Sequence, residues 1–335
     1  MRHPVRSIAF STAVLPAAFL VAIPMFGQAP TAATKPAPAK AAETKAWSAP
    51  KTADGQPDLQ GIWSTVSNVP LEAPAQGRGG RGGAAGRAPA RAAAQPEGAL
   101  AVHYDNSQFG LDRSHVKVAE DDRKSLIFDP ADGRIPQASA LAQKRAADRA
   151  AFTREHQWDG PETRPLGERC ILWPNEGPPM LSPGYNSNLQ IVQGVGYVAI
   201  MQEMIHDTRI IPIDNRPHIP ADIHQWMGDA RGHWEGNTLV VDTTNFTDKT
   251  AFQRSGDKLH VVERFTRTSP DTLEYQFTVD DPDTWDRPWS AKVIWEKTDG
   301  PIYEYACQEG NYGMHNNLSS ARAEEKKAAE KAAGK

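Results

Sequence analysis

The run Glu203-Met204-Ile205-His206-Asp207-Thr208-Arg209 brings two carboxylates, an imidazole and a guanidinium within a few residues of one another. Such a set can do acid–base chemistry. His206 and Asp207 would exchange a proton with a substrate, Arg209 would hold an anionic or carbonyl oxygen, and Glu203 would supply a further carboxylate. A salt-bridged strand end is the competing reading of the same residues. His260, Glu304 and Glu309 are second-rank partners for that chemistry.

Glu203, Glu263 and Glu304 fall in register with apolar neighbours along strand-like runs. An ionised carboxylate there is costly unless paired, and can carry a raised pKa useful in catalysis. The alternative is pairing with an arginine such as Arg209, Arg264 or Arg267 across the sheet. Trp226, Trp234, Tyr303 and Tyr305 are the candidate ligand-binding residues, able to receive a flat apolar molecule or a sugar ring, although core packing also accounts for them. Histidines 206, 218, 224, 233 and 260 invite a metal reading, but no ligand spacing such as His-Glu-x-x-His occurs, so no metal ligand is assigned. The sequence specifies no cofactor. Gly194-Val195-Gly196-Tyr197-Val198-Ala199 matches a dinucleotide fingerprint only loosely, because a strand follows it instead of a helix. A Gly-x-Ser-x-Gly elbow and a phosphate-binding loop are both absent.

The elements that must position these groups are β-strands. Leu189–Val192, Tyr197–Met204, Arg209–Ile213, residues 230–234 and 238–243, Leu259–Thr268, Thr272–Val279 and Trp289–Lys297 alternate or run apolar between turn formers. Glu235-Gly236-Asn237 and Ser269-Pro270-Asp271 read as hairpin turns, and Thr298-Asp299-Gly300 as a third, leading into a strand over Pro301–Cys307. About eight strands with no helix between them exclude a parallel doubly wound sheet. The expected fold is mainly β: an antiparallel up-and-down barrel or strongly curved sheet enclosing a space, with a few peripheral helices and disordered N-terminal segments. A helix is expected from Ser139 to about His156, with an alanine-rich packing side and basic residues outward.

Residues 1–29 have a basic start, an apolar stretch from Ile8 to Phe26 and a small-residue ending, the three parts of a secretory signal peptide. Pro16 and Pro24 interrupt that stretch, which argues against a retained anchor, so no stable membrane span is expected after its removal. Of the 37 basic side chains only Arg2 and Arg6 lie in this leader, and all 41 acidic ones lie beyond it, so the net charge moves from −4 to −6 on cleavage. A mildly acidic chain is a poor partner for nucleic acid. Further along, residues 30–52 read as a flexible leader, 53–70 as a docking strand segment, and 71–99 as a Gly/Arg/Ala-rich disordered loop. Residues 100–316 form the β-rich domain with its preceding helix, and 317–335 a charged tail. The location expected is periplasmic or secreted. In that oxidising setting Cys170 and Cys307 would pair, the alternative being free thiols.

Four segments carry a resemblance: Asp54-Gly55-Gln56-Pro57-Asp58-Leu59-Gln60-Gly61-Ile62-Trp63, Met204-Ile205-His206-Asp207-Thr208-Arg209, Gln225-Trp226-Met227-Gly228-Asp229 with Trp234-Glu235-Gly236-Asn237-Thr238-Leu239-Val240-Val241, and Tyr303-Glu304-Tyr305-Ala306-Cys307-Gln308-Glu309-Gly310-Asn311-Tyr312. With them the chain resembles a family of exported bacterial proteins without an assigned activity, over residues 50 to about 325. The resemblance implies export and domain extent and transfers no catalytic residue. A looser likeness to lipocalins rests on strand count alone.

Three functions are compatible with these features. The leading one is a hydrolase or lyase acting by acid–base chemistry on a small organic or carbohydrate-like substrate. The second is a non-catalytic periplasmic binding protein for an apolar or aromatic ligand, and the third an envelope structural or interaction protein. The first requires its ionisable residues to converge on one cavity. The second requires a mostly apolar, Trp/Tyr-lined pocket with its acids neutralised by arginines, and the third the absence of any deep pocket, which a solid barrel filled with side chains would favour.

Overall fold

In a computed structural model of the 335-residue chain, residues 47–74, 117–249 and 252–334 are described here. The signal-peptide pattern and nearly all of the Gly/Arg/Ala-rich segment lie outside the described residues.

Ten strands form one antiparallel sheet: β1 (Gly61–Ser64), β2 (Ile127–Asp129), β3 (Asn188–Gly194), β4 (Tyr197–Gln202), β5 (Thr208–Pro212), β6 (Asp229–Glu235), β7 (Thr238–Thr244), β8 (His260–Arg267), β9 (Thr272–Asp280) and β10 (Trp289–Lys297). Among the described residues two α-helices accompany them, α1 (Ala140–His156) and α2 (Tyr312–Ala332). Strand order is β5-β4-β3-β1-β10-β9-β8-β7-β6, with β2 paired to β10. Period-two alternation sets the faces. In β9, Leu273, Tyr275, Phe277 and Val279 are buried while Glu274, Gln276 and Thr278 are half-exposed. The same phase in β8 buries Val261, Glu263, Phe265 and Arg267.

The two terminal strands of this order, β5 and β6, meet side by side and nearly close the sheet into a nine-strand barrel. Side-chain packing makes that seam. A Cβ on Gly232 of β6 would lie 2.8 Å from Ile213 and 2.9 Å from Ile211, so the glycine is what lets the two edges approach.

The described inward side chains pack against one another and leave no open space between them, a correction to the expectation from sequence of an enclosed space. Tyr275 stacks on Trp295 with ring centroids 4.5 Å apart, Phe265 lies 5.0 Å from Tyr275, and Trp289 meets Phe277 edge-on at 5.9 Å. With Trp63, these rings fill the interior as a packed core. Within it lies one buried ion pair. Arg209 donates to both carboxylate oxygens of Glu263 at 2.9 and 2.6 Å, and the Tyr275 hydroxyl donates to Glu263 Oε1 at 2.8 Å. That hydroxyl also accepts the Met180 N–H at 2.8 Å, which ties the segment before β3 to the barrel interior.

The third hairpin does not form. Residues 301–307 are not a strand, because β1 and β2 occupy the free edge of β10. Glu203 Oε1 and His206 Nε2 instead accept the Tyr303 and Tyr305 N–H groups, at 3.1 and 2.9 Å. The Cys170–Cys307 disulfide then fixes this segment, and α2 follows it with no buried residue.

Candidate functional site at one rim of the barrel

Antiparallel pairing places the starts of β3, β5, β6, β8 and β10 and the ends of β4, β7 and β9 at one rim. The opposite rim has tight turns such as Gly236-Asn237, with Gly236 at φ +60°. Irregular segments gather at the first rim: 203–207, 245–249, 252–259 and the stretch that enters β3. Two pockets open there, of about 430 and 310 Å³.

The larger pocket is built mostly from apolar and aromatic side chains, with Trp173, Trp226, Phe246 and Phe252 supplying the rings. Its outer wall is the segment around Trp173–Pro178, which folds closely because Trp173 lies against Gly167 and Met227 against Gly177. Phe252 stacks on the core residue Trp289 at 6.0 Å. Lys249, Gln253 and Arg254 add polarity, and among the described residues none that line the pocket is acidic.

Backbone strain marks both pockets. Among the described residues, those other than glycine and asparagine with positive φ are Cys170, Ile205, His206, Gln253 and Arg254. The last two line the larger pocket and the first three the smaller. Each such conformation costs on the order of 1–3 kcal/mol and persists only where its surroundings hold it, a pattern that gathers at functional sites.

The candidate catalytic residues do not converge on one cavity. His206, Glu304 and Glu309 line the smaller pocket with Tyr305 and the disulfide. Glu203 is buried, occupied by the Asn188 and Tyr303 N–H groups, and Arg209 is held by Glu263 inside the barrel. Attraction to Glu263 outweighs the burial that opposes Arg209's charge and holds its pKa above the usual value. Asp207 is half-buried, and desolvation raises its pKa against the pull of Arg209. His260 sits on the outer face, bonded to Asp242 at 2.8 Å. Of the candidate ligand-binding residues, Trp226 lines the larger pocket and Tyr305 the smaller. Trp234 packs against the core from β6 and Tyr303 is exposed, so neither joins a pocket.

No family model and no curated protein sequence matches the chain. Among solved structures it is similar to a secretary abundant heat soluble (SAHS) protein from Ramazzottius varieornatus, at 10% identity, over 33% of this chain and 70% of that one, with a TM-score of 0.23. So low a score carries no argument, and the barrel rests on the strand registers above.

Two groups escaped sequence reasoning. Glu176 is fully buried in the pocket wall; its Oε2 accepts the Trp173 N–H at 3.0 Å and its Oε1 has no partner. Burial, aided by nearby Asp207, pushes its pKa up to about 8. Burial and a hydroxyl contact with Tyr305 likewise raise that of Tyr185. The second group is a chain along the outside of β6–β8. His218 contacts Asp229 at 2.8 Å and Asp242 at 2.9 Å, and Asp242 continues to His260. It straps the segment carrying Trp226 to the barrel. Among the described residues no cluster of three or more His, Cys, Asp or Glu is arranged to hold a metal ion, and no helix is long and apolar enough to cross a membrane.

Proposed function

We propose that this chain is a binding protein for a small, flat, largely apolar molecule, seated in the larger rim pocket with the filled barrel as its scaffold. One observation carries the reading. A pocket of about 430 Å³ lined by four aromatic rings opens at the mouth of a barrel whose described inward side chains form a packed core. Small-molecule sites have this character: concave, roughly 300–1,000 Å³, mostly apolar, with a few polar groups. Hydrolase or lyase chemistry has weaker support, since Glu203 and Arg209 are committed to structural bonds. The reading also places the protein outside the cytoplasm, supported by the Cys170–Cys307 disulfide, a bond that persists in oxidising compartments.

The test is a titration with 2-naphthamide followed by tryptophan fluorescence. Saturable quenching is expected, weakened about tenfold or more by Trp226→Ala, because removing a ring that packs on a bound molecule costs on the order of 1–3 kcal/mol. Unsaturable quenching, or a Trp226→Ala variant that binds as well as the parent, would refute the site.

A further inference from the structure

We infer that the ligand of the larger pocket carries an anionic group, which Lys249 and Arg254 receive while the aromatic walls take its flat body. The inference rests on the pocket reading above and names the chemical class: an aromatic or polycyclic carboxylate, or a molecule of like shape and charge. Three observations lead to it.

The lining is electrostatically one-sided. Lys249 and Arg254 are its charged members, and neither has an ion-pair partner among the described residues. That differs from the rest of the surface, where arginines are commonly neutralised: Arg123 by Asp121, Arg216 by Asp214, Arg264 by Glu235, Arg287 by Asp129. Two unpaired cations beside apolar rings attract an anion strongly, because the apolar wall reduces screening by water.

The turn that presents Arg254 is held in an unfavourable conformation. Gln253 and Arg254 have φ of +48° and +76°, and the turn closes through the Ser255 N–H on the Phe252 carbonyl at 2.9 Å. Its support lies underneath. Arg145 of α1 donates to the Arg254 carbonyl at 2.9 Å and to Thr284 Oγ1 at 2.7 Å, and Asp281 Oδ2 accepts the Gly256 N–H at 2.7 Å. Gly256 leaves room for Arg145, whose Nη1 would lie 2.7 Å from a Cβ there.

The same helix steadies the other cation. Arg149, one turn on from Arg145, donates to the Asp248 carbonyl at 2.9 Å, next to Lys249. Thus α1, of which only Ala142 is buried, contributes little to the core but fixes the backbone behind both cations. Arg145 and Arg149 are positioning residues. Among the described residues Lys249 and Arg254 spend no side-chain bond on the fold, which leaves them for a ligand.

The experiment compares two probes of nearly equal shape, 2-naphthoate and 2-naphthamide, by tryptophan fluorescence at neutral pH and low salt. The expected result is that naphthoate binds about tenfold more tightly or better, and that the preference shrinks at about 1 M salt. In the Lys249→Gln/Arg254→Gln variant the preference disappears, with naphthamide binding still measurable. Both residues are exposed, so that variant retains the fold. Lys258→Gln, which removes an exposed cation already paired with Asp283 at 2.9 Å, keeps the preference. Equal affinity for the two probes in the parent protein, or a preference that survives the double substitution, overturns the inference and leaves the pocket reading standing. Failure of both probes to bind overturns the pocket reading and the inference with it.

Discussion

Replacing Glu176 by glutamine should stabilise this protein at neutral pH, and the size of the gain follows from where the carboxyl sits. Its Oε1 has no partner and the residue is fully buried, so ionisation places a charge where only the Trp173 N–H answers it. Burial lifts the pKa to about 8 from an ordinary 4.5. Between those two pH values the folded chain holds a proton that the unfolded chain has released. Stability therefore falls as pH rises through this window, by roughly 1.4 kcal/mol per unit for this one group. By pH 7 the loss is about 3 kcal/mol, and it levels off above pH 8. Glutamine keeps an acceptor for the Trp173 N–H and never ionises, so the variant escapes the loss. Urea unfolding of parent and variant at several pH values from about 5 to 8.5 gives the difference directly, and groups common to both cancel. Near-equality at pH 5, opening to about 3 kcal/mol in favour of glutamine at pH 7, is the expected course. A difference independent of pH, or a parent protein that is the more stable at pH 8, would show that Glu176 is solvated or paired and that the wall around it is looser than described.

Other perturbations test the remaining joints. Gly232→Ala should cost about 1–3 kcal/mol, since its Cβ would press on Ile211 and Ile213 across the β5–β6 seam; thermal melts that match the parent would mean the seam has slack. Arg209→Met should cost about 3–5 kcal/mol by leaving Glu263 buried and unpaired, and Glu263→Leu added to it should recover much of that loss; an additive double variant in urea melts would contradict the pairing. Tyr275→Phe orphans the buried Met180 N–H, so it should lose about 1–3 kcal/mol and also weaken 2-naphthamide binding, although Tyr275 lies outside the pocket; unchanged binding would uncouple the core from the wall. Asp242→Asn should bring the His260 titration back towards 6.5 by NMR, because the hydrogen bond that His260 donates to the Asp242 carboxylate is the main cause of its raised pKa. The Asp242 carboxylate is stabilising above its depressed pKa, below 3.8, and charged His260 below its own raised one, above 6.5, so the variant's deficit should be greatest between about 3.8 and 6.5 and shrink as pH rises past the His260 value.

The strands were legible because alternation is a property of neighbouring residues. Leu273, Tyr275, Phe277 and Val279 announce their face without reference to anything distant. The inward phase of Glu263 could be read the same way, and arginine pairing was one of two readings; the structure supplies Arg209, reaching across the lumen instead of along adjacent strands. Residues 301–307 carry a hairpin signal and still form no strand, since whether the β10 edge is free depends on β1 and β2, more than 150 residues away in the chain. Whether a barrel is hollow is likewise hidden, because alternation sorts faces without giving the distance across them. The larger pocket left no periodic trace. Lys249, Arg254 and Trp173 sit in irregular segments, and the nearest signal was the proline- and tryptophan-rich run Leu172-Trp173-Pro174-Asn175-Glu176-Gly177-Pro178-Pro179. On α1, Arg145 and Arg149 read as an outward basic side, yet both bend to loop carbonyls that sequence spacing could not reveal.

A filled barrel changes what a substitution inside it can do. In a hollow barrel an inward side chain touches ligand, and its replacement alters specificity directly. Here Tyr275, Trp295, Phe265 and Glu263 touch one another, so changes among them act on the rim only through what the core holds in place. The connection is specific: Met180 hangs from the Tyr275 hydroxyl, and Pro178, two residues earlier, lines the pocket. On the other side of the pocket the support comes from α1 through Arg145 and Arg149. The two walls therefore answer to different parts of the molecule, one to the buried Arg209–Glu263–Tyr275 network and one to a surface helix. Recognition can be retuned from the α1 side without touching the core, because the carbonyls it holds belong to exposed segments. The Met180 side lacks that freedom, since any change that frees its N–H leaves an unsatisfied donor in the buried core.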